Sequence, residues 1–218
     1  LVSEGLYDVG ITGKDWVGET NSDVESILDL EYGKIRLVIA FPDKYTYKNL
    51  DAMIADYGKK KKTLRISSEY LRTASTFIKG LKSYQKYYGK KDPLIVTPWM
   101  RLGNNKDVQI HLSFGATEAK PPEDVDAIMD VTETGTTLKQ NKLKIVDEVL
   151  TSTAHLIVNK KSLKDPKKRE KIFDMITLIR GAVNGRKYLH IYLNVEEKNL
   201  KKLLSQMPSL KRPTISPL

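Results

Sequence analysis

Apolar residues along this chain fall into two alternating kinds of run. Compact or alternating stretches of four to eight residues read as strands, and longer stretches with apolar positions three and four apart read as helices. The strand-type runs are Asp8–Thr12, Arg36–Phe41, Leu64–Ser67, Leu94–Thr97, Val108–Ser113, Ala127–Val131, Lys144–Leu150, Ala154–Val158 and Tyr188–Leu193. Helical spacing predicts Tyr47–Tyr57, Ser68–Tyr88, a short helix opening near Thr136, Pro166–Asn184 and Val195–Gln206. Two helix starts carry their own signals. Asp165 before Pro166 fits an N-cap with proline at the first helical position, and Asn194 with Glu197 three residues on has the spacing of a capping box. Strands alternating with helices through the whole length predict an α/β fold with substantial parallel sheet.

Composition narrows the function. The 218 residues suffice for one large domain or two modest ones, and 40% hydrophobic content is that of a globular chain. The longest uncharged apolar runs, LVIAF and HLIVN, are far shorter than the roughly 20 residues of a membrane span. No targeting signal opens the chain, so the cytoplasm is the expected setting. With no cysteine and only His111, His155 and His190, thiolate chemistry, disulfides and Cys- or His-built metal sites are not expected, and the histidines read as strand residues.

The net charge of +10 is uneven. Residues 59–91 hold eleven basic residues against one acidic, and residues 160–218 hold fifteen against five. Residues 1–31 instead hold one against eight, and residues 92–159 six against ten. Tyr84, Tyr87 and Tyr88 interleave the first basic segment, a pattern that fits either base stacking or a solvated lysine face with inward aromatics.

The segment Asp126–Leu138 carries the most chemistry. A buried strand runs into Thr132-Glu133-Thr134-Gly135-Thr136-Thr137, and a helix opens at its end. Gly135 lets the backbone approach an anion, successive N–H groups point at it, and the hydroxyls of Thr134, Thr136 and Thr137 add donors. Asp130 and Glu133 suit sugar hydroxyls or a magnesium ion bridging phosphates, so a sugar phosphate fits both halves. No lysine follows the glycine, which separates the loop from a nucleoside-triphosphatase P-loop. From spacing alone, a threonine-rich turn capping an ordinary helix accounts for the same residues.

The run DVTETGTTL, preceded by DAIM, resembles the phosphoribosyl-diphosphate loop of the ATP phosphoribosyltransferase family. Five further segments resemble that family in the same order: DVGITGKD from Asp8, GKIRLVIA from Gly33, RISSEY from Arg65, GATE from Gly115 and STAHLIVN from Ser152. Gly181-Ala182-Val183, Asn194 and the stretch from Met207 to Leu218 resemble the opening of the regulatory domain found in the family's long form. By this resemblance the chain is truncated at both ends.

The resemblance implies a periplasmic-binding-protein-like fold, with a two-lobed α/β catalytic region over residues 1–163. A connecting helix over 164–186 and the beginning of a ferredoxin-like C-terminal domain over 187–218 would follow. It implies transfer of phosphoribosyl from phosphoribosyl diphosphate to N1 of ATP with Mg²⁺ and release of pyrophosphate, the first step of histidine biosynthesis. Histidine is then the expected feedback inhibitor and a homo-oligomer, dimer or hexamer, the expected assembly. By the same resemblance Thr134, Gly135, Thr136, Thr137 and Leu138 hold the phosphoribosyl group and Asp130 and Glu133 hold ribose hydroxyls or Mg²⁺. Gly13, Lys14, Asp15 and Glu118 are the remaining expected residues, as ATP or second-lobe contacts.

Three departures stand out: Leu71 replaces the proline of the family's "T-x-Y-P", Lys82–Lys106 is inserted, and an acidic Pro121-Pro122-Glu123-Asp124 precedes Asp126. A non-catalytic ligand-binding module of the same lobed form is the alternative. Because the basic surplus lies away from the threonine loop, neither nucleic acid nor membrane is an expected partner.

Overall fold

The computed structural model describes residues 1–189, 191–206 and 214–216, and the chain divides into two compact units, Leu1–Val183 and Asn184–Leu218. The first unit opens with β1 (Val9–Gly13), α1 (Lys14–Glu19) and β2 (Val24–Asp29). It continues through β3 (Ile35–Pro42), α2 (Leu50–Lys60), β4 (Leu64–Ser68), α3 (Leu71–Gly80) and α4 (Lys82–Tyr88). Then come β5 (Pro93–Val96), β6 (Arg101–Leu102), β7 (Asn105–Leu112), β8 (Ala127–Thr132), α5 (Thr136–Gln140), β9 (Leu143–Ser152) and β10 (Ala154–Asn159). The helix α6 (Pro166–Gly185) begins at the expected cap, with Asp165 Oδ1 accepting from the N–H groups of Lys167 at 2.9 Å and Lys168 at 3.2 Å.

These strands form two sheets, one per lobe. The larger has the order β6-β5-β7-β4-β8-β3-β9, and the smaller has β1-β10-β2. Leu37–Pro42 of β3 and Ala127–Met129 of β8 are continuously apolar because both faces are covered there. Leu37, Ile39, Phe41 and Met129 pack with Leu64, Ile66, Val108 and Ile110 against α2, α3 and α4. Val38, Ala40 and Ile128 face the opposite side, where Leu138 and Leu143 close a smaller core. The smaller sheet buries Leu156 and Val158 against Ile172, Ile176 and Val183 of α6.

The chain crosses between lobes twice, and the crossings bond to each other. Leu30 N–H donates to Ala154 O at 2.9 Å, Ala154 N–H donates to Tyr32 O at 3.0 Å, and Ile35 pairs with Ser152. Two α/β lobes joined by two adjacent strand-like crossings make the expected two-lobed architecture.

Several sequence expectations change. The larger sheet is mixed: β4 runs parallel to β7 and β8, and β5 parallel to β7, while β3, β6 and β9 pair antiparallel. The smaller sheet is wholly antiparallel. The helix expected over Ser68–Tyr88 is two, because Leu81 is extended (φ −74°, ψ 138°) and Asp51 takes the Ser83 N–H and hydroxyl, each at 2.8 Å, starting α4 afresh. The stretch Lys82–Lys106 is no surface excursion, since it contributes α4, β5 and β6 to the lobe.

In the second unit α7 (Glu197–Gln206) begins two residues later than expected. The strand expected over Tyr188–Leu193 is absent among its described residues, which have no neighbouring strand to bond. His190, residues 207–213 and residues 217–218 lie outside the described residues, and with them most of the tail motif. No helix among the described residues is long and apolar enough to cross a membrane.

Candidate functional site

Parallel strands end together, so β4, β5, β7 and β8 deliver four loops to one edge of the larger sheet. Glu69 and Tyr70 follow β4, Thr97–Met100 follow β5, Ser113–Lys120 follow β7, and Glu133–Gly135 follow β8. The carboxyl edge of an α/β sheet is where such folds place ligands.

The threonine loop is built from its own side chains. Gly135 has φ +83°, a left-handed conformation, and a Cβ there would meet Ile145 Cδ1 at 3.2 Å, so this turn favours glycine on two counts. Its N–H donates to Thr132 Oγ1 at 2.8 Å, and the hydroxyls of Thr134 and Thr136 lie 2.9 Å apart. Thr134, Thr136 and Thr137 are exposed, and the N–H groups of Thr137 and Leu138 have no protein acceptor among the described residues. α5 is only five residues long, so the loop offers N–H and hydroxyl donors rather than a helix dipole. Leu138 points inward, 3% exposed, and pins α5 to the sheet, so any ligand contact it makes runs through its backbone.

Beneath the loop, Asp130 is half-buried with Oδ1 accepting from Val131 N–H at 2.7 Å. Burial pushes its carboxyl up to about 6, and the negative charges of Glu118 and Glu69 push the same way, against the Val131 bond. Those two carboxylates flank Asp130 from the neighbouring loops, whereas Glu133 is exposed on the loop itself. Glu69 was not legible as a site residue from sequence. It sits one position past the end of β4, and only the strand order brings it beside Asp130.

Around His111 the neighbouring charges are positive. His111 in β7 is held below the usual histidine range by burial first, then by the charges of Arg65, Arg101 and Lys120. Arg65 is committed to Asp126 at 3.7 Å. Arg101 donates to the Thr97 and Met100 carbonyls, and Lys120 Nζ lies 2.5 Å from Ser113 Oγ.

Gly13, Lys14 and Asp15 lie apart from the loop, at the start of α1 on the smaller lobe. Lys14 is exposed, and its N–H donates to Thr153 O at 3.1 Å. Gly13 leaves no room for a Cβ beside the Asp15 carboxylate. Asp15 is 8% exposed and ties the lobes together: its Oδ1 accepts from Ser152 Oγ and its Oδ2 from Tyr70 Oη, both at 2.6 Å. Four residues on, Glu19 accepts from the N–H groups of Arg72 and Thr73 at 2.8 Å and from the Thr73 hydroxyl at 2.7 Å, so one lobe caps α3 of the other. His155 is a strand residue bonded through Nδ1 to Ser26 Oγ at 2.8 Å.

The HisG family profile, described as ATP phosphoribosyltransferase, matches residues 1–181. The ATP phosphoribosyltransferase of Solibacter usitatus is 38% identical over 222 aligned positions, which cover 100% of this chain and 66% of that protein. Among solved structures, the ATP phosphoribosyl transferase (HisG:HisZ) complex from Thermotoga maritima superposes with a TM-score of 0.60 at 23% identity, covering 84% of this chain and 73% of that one. Tv2483 bound to L-arginine superposes with a TM-score of 0.50 at 14% identity, over 87% of this chain and 68% of that one. The last two are likenesses of fold. A family profile over most of the chain, on a two-lobed α/β scaffold whose threonine loop lies at the sheet's carboxyl edge, places this chain in the ATP phosphoribosyltransferase family.

Proposed function

We propose that the protein to which this chain belongs transfers the phosphoribosyl group of phosphoribosyl diphosphate to N1 of ATP, releasing pyrophosphate. The single observation that carries the reading is the Asp130–Leu138 arrangement: a half-buried carboxylate beneath a glycine turn with exposed threonine hydroxyls and unspent N–H donors. Thr134, Gly135, Thr136 and Thr137, with the Leu138 N–H, take the 5-phosphate through these donors. Asp130 accepts hydrogen bonds from the ribose hydroxyls, with Glu133 beside it on the loop.

Adenine N1 is already nucleophilic, so the protein need not activate a serine, cysteine or histidine. It orients two anionic substrates and stabilises the charge that develops on the departing pyrophosphate. The residues present fit a magnesium ion. No group of three or more metal-ligating side chains forms among the described residues, but Mg²⁺ is commonly held by one or two carboxylates plus substrate phosphates and water. In this reading Asp130 would be such a carboxylate, with the negative charges of Glu118 and Glu69 acting on it from nearby. When bound, the ion supplies positive charge against the leaving group.

A cytoplasmic setting, assembly with further subunits and inhibition by histidine belong to the same reading. The test is pyrophosphate release from ATP and phosphoribosyl diphosphate by the full-length protein. Thr134→Val and Gly135→Val should abolish phosphoribosyl diphosphate binding, and normal binding by both variants removes the loop from the mechanism.

A further inference from the structure

The lysines of residues 59–91 are scattered in sequence but gathered in the fold. The helices α2 and α4 pack side by side, and a Cβ on Gly58 would come within 2.7 Å of Tyr87 Cγ, so glycine there lets their C-terminal ends meet. Each end runs within five residues into a strand, α2 into β4 and α4 into β5, and both strands start on the amino edge of the larger sheet. Lys59, Lys60, Lys61, Lys62, Lys86, Lys90 and Lys91 are exposed there, and Lys79 joins them through Asp92 at 2.5 Å. Three carboxylates stand among these eight lysines: Asp56 accepts from Lys60 at 2.8 Å, Asp92 accepts from Lys79, and Asp107 lies near Tyr88. Farther along, beside β8, the edge turns acidic with Glu123, Asp124 and Asp126, the last held by Arg65 and the Tyr57 hydroxyl. Between these limits the face keeps a surplus of five positive charges, and apart from Lys60 and Lys79 its lysines have no carboxylate partner among the described residues. Helix C-termini favour cations, which accounts for Lys59, Lys60 and Lys86 in the last turns but not for Lys61, Lys62, Lys90 and Lys91 beyond them.

What surrounds the lysines decides which anion they suit. Tyr84 is fully buried with its hydroxyl donating to Lys91 O at 2.8 Å, and Tyr88 packs on the same core. Tyr87 lays its ring on Gly58, with Lys86 Nζ 5.6 Å from the ring centre. No ring is left to stack a base, which sets a single strand aside. Among the described residues, no large apolar side chain of α2, α3 or α4 is exposed. The face therefore lacks both the apolar signal that reinforces binding to a bilayer and the apolar or aromatic anchors of a protein interface. Lysines are point charges that match charge density rather than a forked geometry. An exposed cluster of them with nothing apolar is complementary to the phosphates of a double helix, whose bases are stacked away and whose charge density is high.

We propose that the lysine face formed by the ends of α2 and α4 binds the phosphate backbone of a nucleic-acid double helix without reading its sequence. The five residues of β4 put about 17 Å between this edge and the one that carries Glu69 and the threonine loop. The separation that argues against nucleic acid at the threonine loop leaves the lysine face free to hold a second ligand. The inference stands apart from the transferase reading.

The test is fluorescence anisotropy of a short mixed-sequence DNA duplex, an RNA duplex and a single strand, each titrated with the full-length protein at several salt concentrations. Both duplexes should bind alike and more tightly than the single strand. Log affinity should fall against log salt with a slope of about −4 to −5, the counterion release expected for about five neutralised phosphates. Lys59→Gln, Lys61→Gln, Lys86→Gln and Lys90→Gln together should weaken duplex binding at least about tenfold and flatten the slope by roughly one unit per lysine. Lys59→Arg, Lys61→Arg, Lys86→Arg and Lys90→Arg together keep the charge and should bind as the parent does. Pyrophosphate release should be the same in all three proteins, which separates this face from the threonine loop. Unchanged duplex affinity in the glutamine set overturns the proposal, as does a single strand bound as tightly as the duplexes. Binding to phosphatidylserine vesicles but to neither duplex overturns it too, by assigning the face to a membrane.

Discussion

Asp130 is held in a place that disfavours its own charge, and the consequence can be measured without any substrate. Its carboxyl sits at about 6 in the folded protein against an ordinary 3.8, mainly through burial. Between those two values the folded state binds more protons than the unfolded state, so stability falls as pH rises through the interval and levels off above it. A difference of about two pKa units corresponds to about 3 kcal/mol, and partial solvent exposure screens this to roughly 1–2 kcal/mol. Asp130→Asn keeps an acceptor for the Val131 N–H and removes the charge. It should therefore be more stable than the parent by about that amount at pH 7, with the gap closing as pH is lowered to about 4. Urea unfolding at pH 7, 6, 5 and 4 gives the comparison directly. If Asp130→Asn is no more stable at pH 7, or if the gap stays constant with pH, the desolvation account of this carboxylate is wrong. The same variant should lose phosphoribosyl diphosphate binding, so stability and function would move in opposite directions at one residue, as expected where a site is strained for its ligand.

Two further predictions concern the junction between lobes. Ser152→Ala removes one of the two hydroxyls that meet the buried Asp15 carboxylate and should cost about 1–3 kcal/mol in chemical denaturation; a neutral result would show that solvent replaces the bond. Glu19→Gln leaves one acceptor oxygen where two now serve Arg72 and Thr73, so α3 should lose about 0.5–2 kcal/mol of capping. Amide exchange at Arg72 and Thr73 should quicken in that variant, and unchanged protection at both would count against the cap.

The sequence is legible where structure is local. Ala127–Val131 reads as a strand because both faces of β8 are buried, and the glycine turn announces itself through residues that sit side by side. The cap at Asp165 is equally local. What the pattern does not reveal is short or assembled from afar. α1 has six residues, and β2, Val-Glu-Ser-Ile-Leu-Asp, breaks the two-residue alternation of a strand inside a strongly acidic stretch, so neither stands out by periodicity. The meeting of Asp15 with Tyr70 and Ser152 joins positions 55 and 137 residues apart, and no spacing rule reaches that far. Glu69 and the cations around His111 gain their meaning only from the order of strands in the sheet. Tyr188–Leu193 shows the converse: a strand-like run whose described residues join neither sheet stays irregular.

The two crossings between lobes also set an order of assembly during synthesis. The larger lobe is drawn from one continuous stretch, Ile35 to Ser152, whereas the smaller sheet needs β10 between β1 and β2, with Val9 opposite Val158. On a ribosome, β1 and β2 emerge before the larger lobe, and β10, the strand that joins them, follows more than a hundred residues after β2. The larger lobe can condense in that interval, and loop closure over so long a separation is shortened once it does. β1 and β2 are thus joined through β10 only after the whole larger lobe has been made, and pairing over so long a separation is the slow, aggregation-exposed part of folding.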